Sequence, residues 1–296
     1  MGRLMSAHLE RAGFSLQTFD LNGSGNCRCA AQAAKNADLL ITMLPDGKAV
    51  RKAVRAALPG LAAGTVVIDM SSSDPRSTRE LQLLLANKNI SLLDAPVSGS
   101  KTGARDATLA IMVGGDAAAL ERARPALEKM GKQIFHMGPL GAGHATKALN
   151  NYIGASGTIA AFEALLVGRA FGLDPKQLTD VFNASTGYNS TTQRKIPQQV
   201  LTGAFASGFS TALMTKDVGI AAGIARHLGL RSRYLNQTLR LWRAALRQLP
   251  AGSDHAEMYR YLERSALPSR AAGARRPKPR RRPRRSSESA RRRRPR

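Results

Sequence analysis

The sequence predicts an α/β domain with a doubly wound sheet, followed by an all-α domain. Apolar runs of strand length alternate with helical patterns up to Gly138, which is the arrangement that covers both faces of a sheet with helices. Strand patterns then stop, and five helical patterns follow. The length of 296 residues suits about two domains. We therefore predict an α/β domain over residues 1–137, an all-α domain over 138–267 and a tail over 268–296.

Strands and helices alternate through the first half of the chain. The predicted strands cover residues 14–19, 39–44, 65–69, 90–93, 109–113 and 133–136. The predicted helices cover residues 3–12, 48–58, 76–87 and 117–130. The run 39–44 is almost continuously apolar, as in a parallel strand that is buried on both faces. No strand pattern precedes the helix 3–12, so we expect the sheet to lack its first strand, to expose unpaired edges and to bind dinucleotide weakly.

The second half begins with the longest helical pattern of the chain. The predicted helices cover residues 142–171, 175–184, 210–228, 231–247 and 254–264. The first of them would be about 45 Å long at the usual rise per residue. Gly172 follows it as a typical C-terminal cap. A helix of this length can form the spine between two domains.

Composition limits the compartment and the class of site. No stretch approaches the roughly 20 apolar residues that a membrane span needs. The N-terminus has no apolar signal-peptide core. The two cysteines, Cys27 and Cys29, are too close for an ordinary disulfide and too few for a zinc site. We therefore expect a cytoplasmic protein with neither a metal site nor membrane association.

The net charge of +25 is concentrated near the C-terminus. The segment 268–296 holds 14 of the 45 Lys and Arg residues and one acid, Glu288. It has no apolar periodicity, so we expect it to be disordered. Basic residues without aromatic partners would bind nucleic acid independently of sequence and in a salt-sensitive way. A genuine basic extension and a frameshifted reading of a GC-rich gene both remain open.

Two features point to a dinucleotide site. Met1 and Gly2 directly precede a helix whose first amides could face a pyrophosphate. Asp20 follows the predicted strand 14–19, where an acid can bind the ribose hydroxyls. Such an acid repels a 2′-phosphate, so we expect NAD to be preferred over NADP. Taken alone, Asp20 is equally well explained as a surface residue.

Three other groups of residues could carry chemistry. Ser98, Gly99 and Ser100 follow a strand and offer a hydroxyl and backbone amides to a substrate carboxylate, although an ordinary Gly/Ser loop looks the same. Lys147, Asn150 and Asn151 share one face of the long helix, where an ammonium and two amides could hold a small oxygenated molecule. The alternative is that these residues form a solvent-exposed helix face without a functional role. Lys216 beside Asp217 would ordinarily be a surface pair.

Taken in chain order, these segments resemble the β-hydroxyacid dehydrogenase family, which includes 3-hydroxyisobutyrate dehydrogenase and tartronate semialdehyde reductase. The resemblance covers residues 1–264. The matching motifs are Met1-Gly2, Met43-Leu44-Pro45, Asp69-Met70-Ser71-Ser72, Asp94-Ala95-Pro96-Val97-Ser98-Gly99, Gly141-x-Gly143-x-x-x-Lys147-x-x-Asn150-Asn151 and Leu213-Met214-x-Lys216-Asp217.

The resemblance implies a Rossmann-type domain, an interdomain helix and an all-α domain that associates into a homodimer or tetramer. It implies reversible hydride transfer between NAD(P) and a small β-hydroxyacid, such as 3-hydroxyisobutyrate or 2-hydroxy-3-oxopropionate. Lys147 would exchange a proton with the substrate hydroxyl, which near neutral pH requires a lowered pKa. The substrate would be held by Ser98, Gly99, Ser100, Asn150 and Asn151.

The resemblance also implies a set of cofactor contacts. Leu44, Pro45 and Ser72 would line the cofactor, and Lys216 would close over it. The chain also has Gly223 where relatives often carry an acid. Two departures from the family, the missing opening strand and the basic tail, leave a second hypothesis open. The alternative is a catalytically silent relative that acts as a binding or scaffold protein.

Overall fold

The computed structural model describes residues 1–266, and the segment 268–296 discussed above lies outside them. One sheet is formed by β1 (Leu39–Thr42), β2 (Val66–Asp69), β3 (Ser91–Asp94), β4 (Val97–Ser98), β5 (Leu109–Gly114) and β6 (Gly131–Gly138). The helices are α1 (Gly2–Arg11), α2 (Ala30–Ala34), α3 (Gly47–Ala57), α4 (Pro75–Ala86), α5 (Ser100–Arg105), α6 (Ala117–Leu127), α7 (Ala142–Phe171), α8 (Pro175–Ala184), α9 (Thr211–His227), α10 (Arg233–Gln248) and α11 (Met258–Ala266). A π-helix, Thr191–Val200, precedes α9, and a 3₁₀ turn, His255–Glu257, precedes α11.

The sheet is mixed, with strand order β1-β2-β3-β5-β4 and with β6 on β5. The β1–β2, β2–β3 and β5–β6 pairs are parallel, whereas β5 runs antiparallel to β3 and β4. The parallel strands β1, β2 and β3 bring their carboxyl ends to one edge, where Thr42, Asp69 and Asp94 share a register. Ligands of open α/β sheets bind at this edge. The predicted α/β class, with a helical region after it, is confirmed.

Side-chain alternation explains why helices cover both faces of the sheet. Ile68 of β2 joins a core with Leu9 of α1 and Leu120 of α6, while its neighbour Val67 packs with Val54 of α3 on the other face. Successive side chains of a strand point to opposite faces, so one continuous apolar strand serves two cores.

The prediction of a strand over residues 14–19 is wrong. This segment is irregular, although Phe14 and Leu16 still pack against the sheet core. Side chains hold it in place: Gln17 donates to the Lys35 carbonyl, and the amide of Thr18 donates to Asn26 Oδ1. Within residues 1–266 β1 is an edge strand, so no neighbouring strand offers residues 14–19 a hydrogen-bond ladder.

The helical half is built around α7, whose bounds match the prediction. Its buried residues Ala155 and Phe162 pack in one core with Val218 of α9, Trp242 of α10 and Tyr259 of α11. Among residues 1–266, α7 is the one helix that length and composition would allow to cross a membrane, contrary to the sequence expectation. Its buried packing against three neighbouring helices is that of a core helix.

The predicted helix 254–264 differs from the observed one. The chain first makes the short 3₁₀ turn and then forms α11, so the regular helix starts four residues later than expected. The side chain of Asp254 accepts from the amide of Ala256 and caps this turn. Sequence analysis had no signal for the π-helix, for α2 or for α5. The domain division at residues 137 and 138 stays a prediction.

Candidate active site

Lys147 lies on the second turn of α7 and is buried, with 9% of its surface exposed. Burial lowers the pKa of Lys147; the carboxylate of Asp217 opposes this shift, and the ammonium of Lys216 adds to it. A desolvated amine has a weaker hold on its proton than a solvated lysine. Lys147 is therefore suited to exchanging a proton at a pH below its usual range, and it is not part of a solvated helix face.

Asp217 connects the amide of Asn151 with the ammonium of Lys216. Asn151 Nδ2 donates to Asp217 Oδ2 at 2.5 Å. Lys216 Nζ lies 3.1 Å from Asp217 Oδ1 without hydrogen-bond geometry, so Oδ1 lacks a hydrogen-bond partner among the described residues. A buried carboxylate oxygen with an unused acceptor position is costly. The ammonium of Lys216 offsets part of this cost through its charge.

Lys216 crosses from the helical half to the sheet half. Its Nζ donates to the carbonyls of Pro45 at 3.0 Å and Ser72 at 2.6 Å, which follow β1 and β2. The amide of Leu44 donates to Ser71 Oγ at 2.9 Å and ties these two loops together. A cleft of about 530 Å³ borders Ser72 and Lys216 and extends to the N-termini of α3 and α4. Hydrogen bonds thus link the segments that carry four predicted cofactor contacts, Leu44, Pro45, Ser72 and Lys216, and two of them, Ser72 and Lys216, border the cleft.

The start of α7 is pressed against the carboxyl end of the sheet. Asp94 is fully buried and accepts from the amides of Gly141 and His144 at 2.7 and 2.6 Å. Burial raises the pKa of the Asp94 carboxyl, and His144 and these amides oppose the shift. Gly143 has no room for a side chain, because a Cβ there would lie 2.2 Å from the Met112 carbonyl oxygen. This contact places Lys147 one turn beyond the sheet edge.

The N-terminus of α1 lies beside the loop after β1. A Cβ on Gly2 would lie 3.8 Å from Cβ of Met43. No side chain caps the helix in the described structure, and no acid lies in its first turn. Free amides at a helix start, with the ammonium of Lys216 and the hydroxyl of Ser72 along the same edge, suit the phosphates and hydroxyls of a dinucleotide. The donor set therefore fits NAD(P).

Family models match both halves of the chain. Residues 1–138 match the NAD binding domain of 6-phosphogluconate dehydrogenase, and residues 141–262 match the NAD-binding domain of NADP-dependent 3-hydroxyisobutyrate dehydrogenase. The 3-hydroxyisobutyrate dehydrogenase of Pseudomonas aeruginosa is 36% identical over 245 residues, which are 76% of this chain and 82% of that protein. The chain belongs to the β-hydroxyacid dehydrogenase family. It is an NAD(P)-dependent oxidoreductase.

Two further comparisons extend the match over more of the chain. The NAD-dependent L-serine dehydrogenase of Pseudomonas aeruginosa is 36% identical over 282 residues, or 89% of this chain and 95% of that one. The structure of Mycobacterium tuberculosis 3-hydroxyisobutyrate dehydrogenase with L-serine superposes with a TM-score of 0.81 at 35% identity, covering 88% of this chain and 95% of that one. These β-hydroxyacid dehydrogenases act on different hydroxyacids, so family membership leaves the substrate open.

The other predicted site residues make fewer contacts with Lys147 and its partners. Ser98 ends β4 and pairs with Ala110, while Gly99 and Ser100 are exposed and start α5, so this segment is not the ordinary Gly/Ser loop considered as the alternative. Asn150 is exposed, and its amide donates to Asn151 Oδ1 at 3.3 Å. Asp20 lies on an exposed turn and accepts from the amide of Asn22. No described contact brings Ser98, Gly99, Ser100 or Asp20 to Lys147.

No role was predicted from the sequence for Asp217, Asp94 or His144. All three are nearly fully buried, at 1%, 0% and 1% exposure. The available signal was that each lies in a motif beside a predicted site residue. Their burial depends on contacts across 47 to 66 residues of chain, which local patterns do not report.

Proposed function

We propose that the chain catalyses reversible hydride transfer between NAD and a short β-hydroxyacid, of the 3-hydroxyisobutyrate or 2-hydroxy-3-oxopropionate type. The observation that carries the proposal is the buried Lys147 amine, which lies in the field of Asp217 and Lys216. On the same helix face, the amide of Asn151 is held by Asp217. The small polar side chains that we assign to substrate binding, such as Ser98, Ser100 and Asn151, suit a short, hydroxylated acid better than a long apolar one.

NAD, when bound, supplies the acceptor for the hydride that leaves the carbinol carbon. In this direction neutral Lys147 takes the proton of the substrate hydroxyl, and in the reverse direction protonated Lys147 returns it.

Asn151 donates to the substrate oxygen or orients Lys147, and Asn150 supplements it. Ser98, Gly99 and Ser100 bind the substrate carboxylate. Met1 and Gly2 would bind the pyrophosphate, Asp20 would bind the ribose, and the remainder of the cofactor would lie against Leu44, Pro45, Ser72 and Lys216.

The test is a substrate and cofactor panel on the purified chain. We expect NAD reduction with 3-hydroxyisobutyrate or another short β-hydroxyacid, and a higher kcat/KM with NAD than with NADP because Asp20 repels a 2′-phosphate. Asp20→Ala should narrow that difference. Turnover with none of the short β-hydroxyacids would contradict the substrate class, and a preference for NADP would contradict the role of Asp20.

The pH dependence should report the charges around Lys147. Oxidation needs the neutral amine, so kcat/KM should rise with pH through the pKa of Lys147, below the ordinary lysine value of about 10.4. Asp217→Asn removes an anion that raises this pKa, so the rise should move to lower pH. Lys216→Met removes a cation that lowers it, so the rise should move to higher pH. Shifts in the same direction for both variants would contradict Lys147 as the titrating base.

Self-association of two copies is part of the proposal. The exposed apolar residues Leu149, Ile153, Val167 and Phe171 of α7, with Ala160 and Ala164 between them, lie within one narrow arc of the helix and form a stripe about 33 Å long. Ile153 and Phe171 are 71% and 82% exposed. A continuous apolar stripe of this kind favours a protein partner, and a second copy can present an identical stripe to it.

Charged substitutions in this stripe should dissociate the assembly. Ile153→Glu with Val167→Glu would desolvate carboxylates at the contact, so sedimentation should show a monomer. The matched control is Leu83→Glu, because Leu83 is 72% exposed on α4, away from the stripe. A parent chain that sediments as a monomer, or a double variant that associates as the parent does, would contradict this surface.

The proposal also includes elements that were predicted from the sequence. These are the domain division at residues 137 and 138, a cytoplasmic location, a tetramer as an alternative to the dimer, and salt-sensitive nucleic-acid binding by residues 268–296. The silent scaffold alternative gains no support, since the relatives that match the chain carry the names of dehydrogenases.

A further inference from the structure

His144 occupies a buried position that none of the proposed chemical steps uses. Its ring lies in the first turn of α7, at the carboxyl edge of the sheet. Nε2 lies 3.0 Å from the carbonyl oxygen of Ser71, and Nδ1 lies 2.8 Å from Oγ1 of Thr78. Carboxylate oxygens of Asp69 and Asp94 lie 3.5 and 3.7 Å from the two ring nitrogens. The ring thus touches the loop after β2, the start of α4 and two strand ends at once.

The contact with Ser71 determines where the ring carries hydrogen. A carbonyl oxygen can only accept, so Nε2 must be the donor. The hydroxyl of Thr78 can donate to Nδ1, or it can accept from Nδ1 while it donates to the Asp74 carbonyl 3.3 Å away, so it satisfies Nδ1 in either form. Of the two contacts, only the one to Ser71 specifically requires an N–H group from residue 144.

The neighbouring carboxylates are hydrogen-bonded without help from the ring. Asp69 accepts from Thr42, from Ser73 and from the amide of Ser71. Asp94 accepts from the backbone amides of Gly141 and His144, and neither bond depends on the imidazole side chain. Removing the imidazole therefore leaves both carboxylates with donors. What it removes is the link between α7 and the carbonyl of Ser71.

That link joins the two parts of the site that must be aligned. On one side, Ser71 accepts from the amide of Leu44, and the carbonyl of Ser72 accepts from Lys216. On the other side, Lys147 follows His144 by three residues, about one turn of the same helix. We propose that His144 is a positioning residue, whose Nε2–H bond to Ser71 sets the Leu44–Ser72 surface relative to Lys147. The proposal rests on the cofactor role of Ser72 but does not depend on which hydroxyacid is the substrate.

Two conservative variants separate the loss of the His144–Ser71 hydrogen bond from a loss of packing. The side-chain amide of His144→Gln reaches the position of Nε2 and can donate to Ser71. The shorter amide of His144→Asn reaches only the position of Nδ1, so it keeps the Thr78 contact and loses Ser71. We expect His144→Asn to weaken NAD binding about tenfold in calorimetry, as for one lost buried hydrogen bond, and His144→Gln to stay close to the parent. The same ranking is expected for kcat.

A second readout requires no cofactor. Hydrogen exchange of the Leu44 amide reports the loop, because its acceptor is Ser71 Oγ. This amide should exchange faster in His144→Asn than in His144→Gln. If the parent binds no NAD, the proposed cofactor role of this surface is wrong. The difference in Leu44 exchange between the two variants still tests whether His144 holds Ser71.

The control is a buried hydroxyl of the helical core. Thr238→Val removes the contact between Thr238 Oγ1 and Ser156 Oγ, at 3.2 Å. It should lower the unfolding temperature without changing the NAD dissociation constant or the exchange of Leu44. Equal NAD affinity and equal Leu44 exchange in the Asn and Gln variants would show that His144 only fills space, and the proposal would be overturned.

Discussion

Lys147→Ala is expected to lower kcat by about 10²- to 10⁴-fold, the usual contribution of a positioned acid or base. The loss should appear in both directions of the reaction, because the same amine takes and returns the proton. NAD affinity should change little, since Leu44, Pro45, Ser72 and Lys216 are untouched. Burial of the ammonium is unfavourable, so its removal should not lower the unfolding temperature. Steady-state kinetics with calorimetry and thermal unfolding would measure all three quantities.

Lys195 provides a control with a second, partly buried ammonium. It lies in the π-helix, donates to Thr191 Oγ1 at 3.1 Å, and has its pKa lowered to about 8, mainly by burial. Lys195→Ala removes a second desolvated ammonium, away from the sheet edge, and should keep the parental kcat in the folded fraction. A Lys147→Ala enzyme that turns over at nearly the parental rate would refute the role of Lys147.

Gly143→Ala is expected to disrupt the junction between sheet and spine helix. The added Cβ would lie 2.2 Å from the carbonyl oxygen of Met112 and 2.6 Å from that of Asp94, below the 3.0 Å that real Cβ atoms keep. Both obstacles are backbone atoms, so α7 has to move away from the sheet. Overpacking of this kind costs about 1–3 kcal/mol and sometimes more. Because Lys147 is one turn away, a shift of about 1 Å could also lower kcat about 10²-fold.

Gly154→Ala tests the same substitution in the same helix without the clash. A Cβ at Gly154 meets nothing within 4 Å, and alanine in a helix interior is favoured over glycine by about 0.5–1 kcal/mol. Urea denaturation should therefore show Gly143→Ala less stable, and Gly154→Ala more stable, than the parent. If the two alanine variants matched each other in stability and turnover, the tight contact at Gly143 would be of no consequence.

The spine helix could be predicted because its limits are encoded locally. Gly141 and Gly172 flank α7 and adopt left-handed conformations with φ of 95° and 98°, which glycine tolerates best. Apolar spacing between them is sufficient to indicate a helix. The strand predicted over residues 14–19 failed because strand formation needs a neighbour, and an apolar pattern does not reveal whether that neighbour exists.

The site could be predicted only where one helix carries it. The spacing of Lys147 and Asn151 follows from helical periodicity, whereas their partner Asp217 comes from a helix 66 residues further along. Predicting that Lys147 is buried requires knowing that α7 starts against Asp94 and Met112. The role of His144 needs the carbonyl of Ser71, a backbone atom that has no signature in the sequence.

The bridge made by Lys216 has a consequence for the timing of turnover. Its ammonium holds the carbonyls of Pro45 and Ser72 from the opposite side of the cleft, and both bonds must break before the cleft can widen. Each charge-assisted bond is worth about 1.5–3 kcal/mol, enough to slow opening at least tenfold. We therefore expect a dinucleotide bound behind this lysine to leave slowly, and its departure, rather than hydride transfer, to limit the rate of turnover.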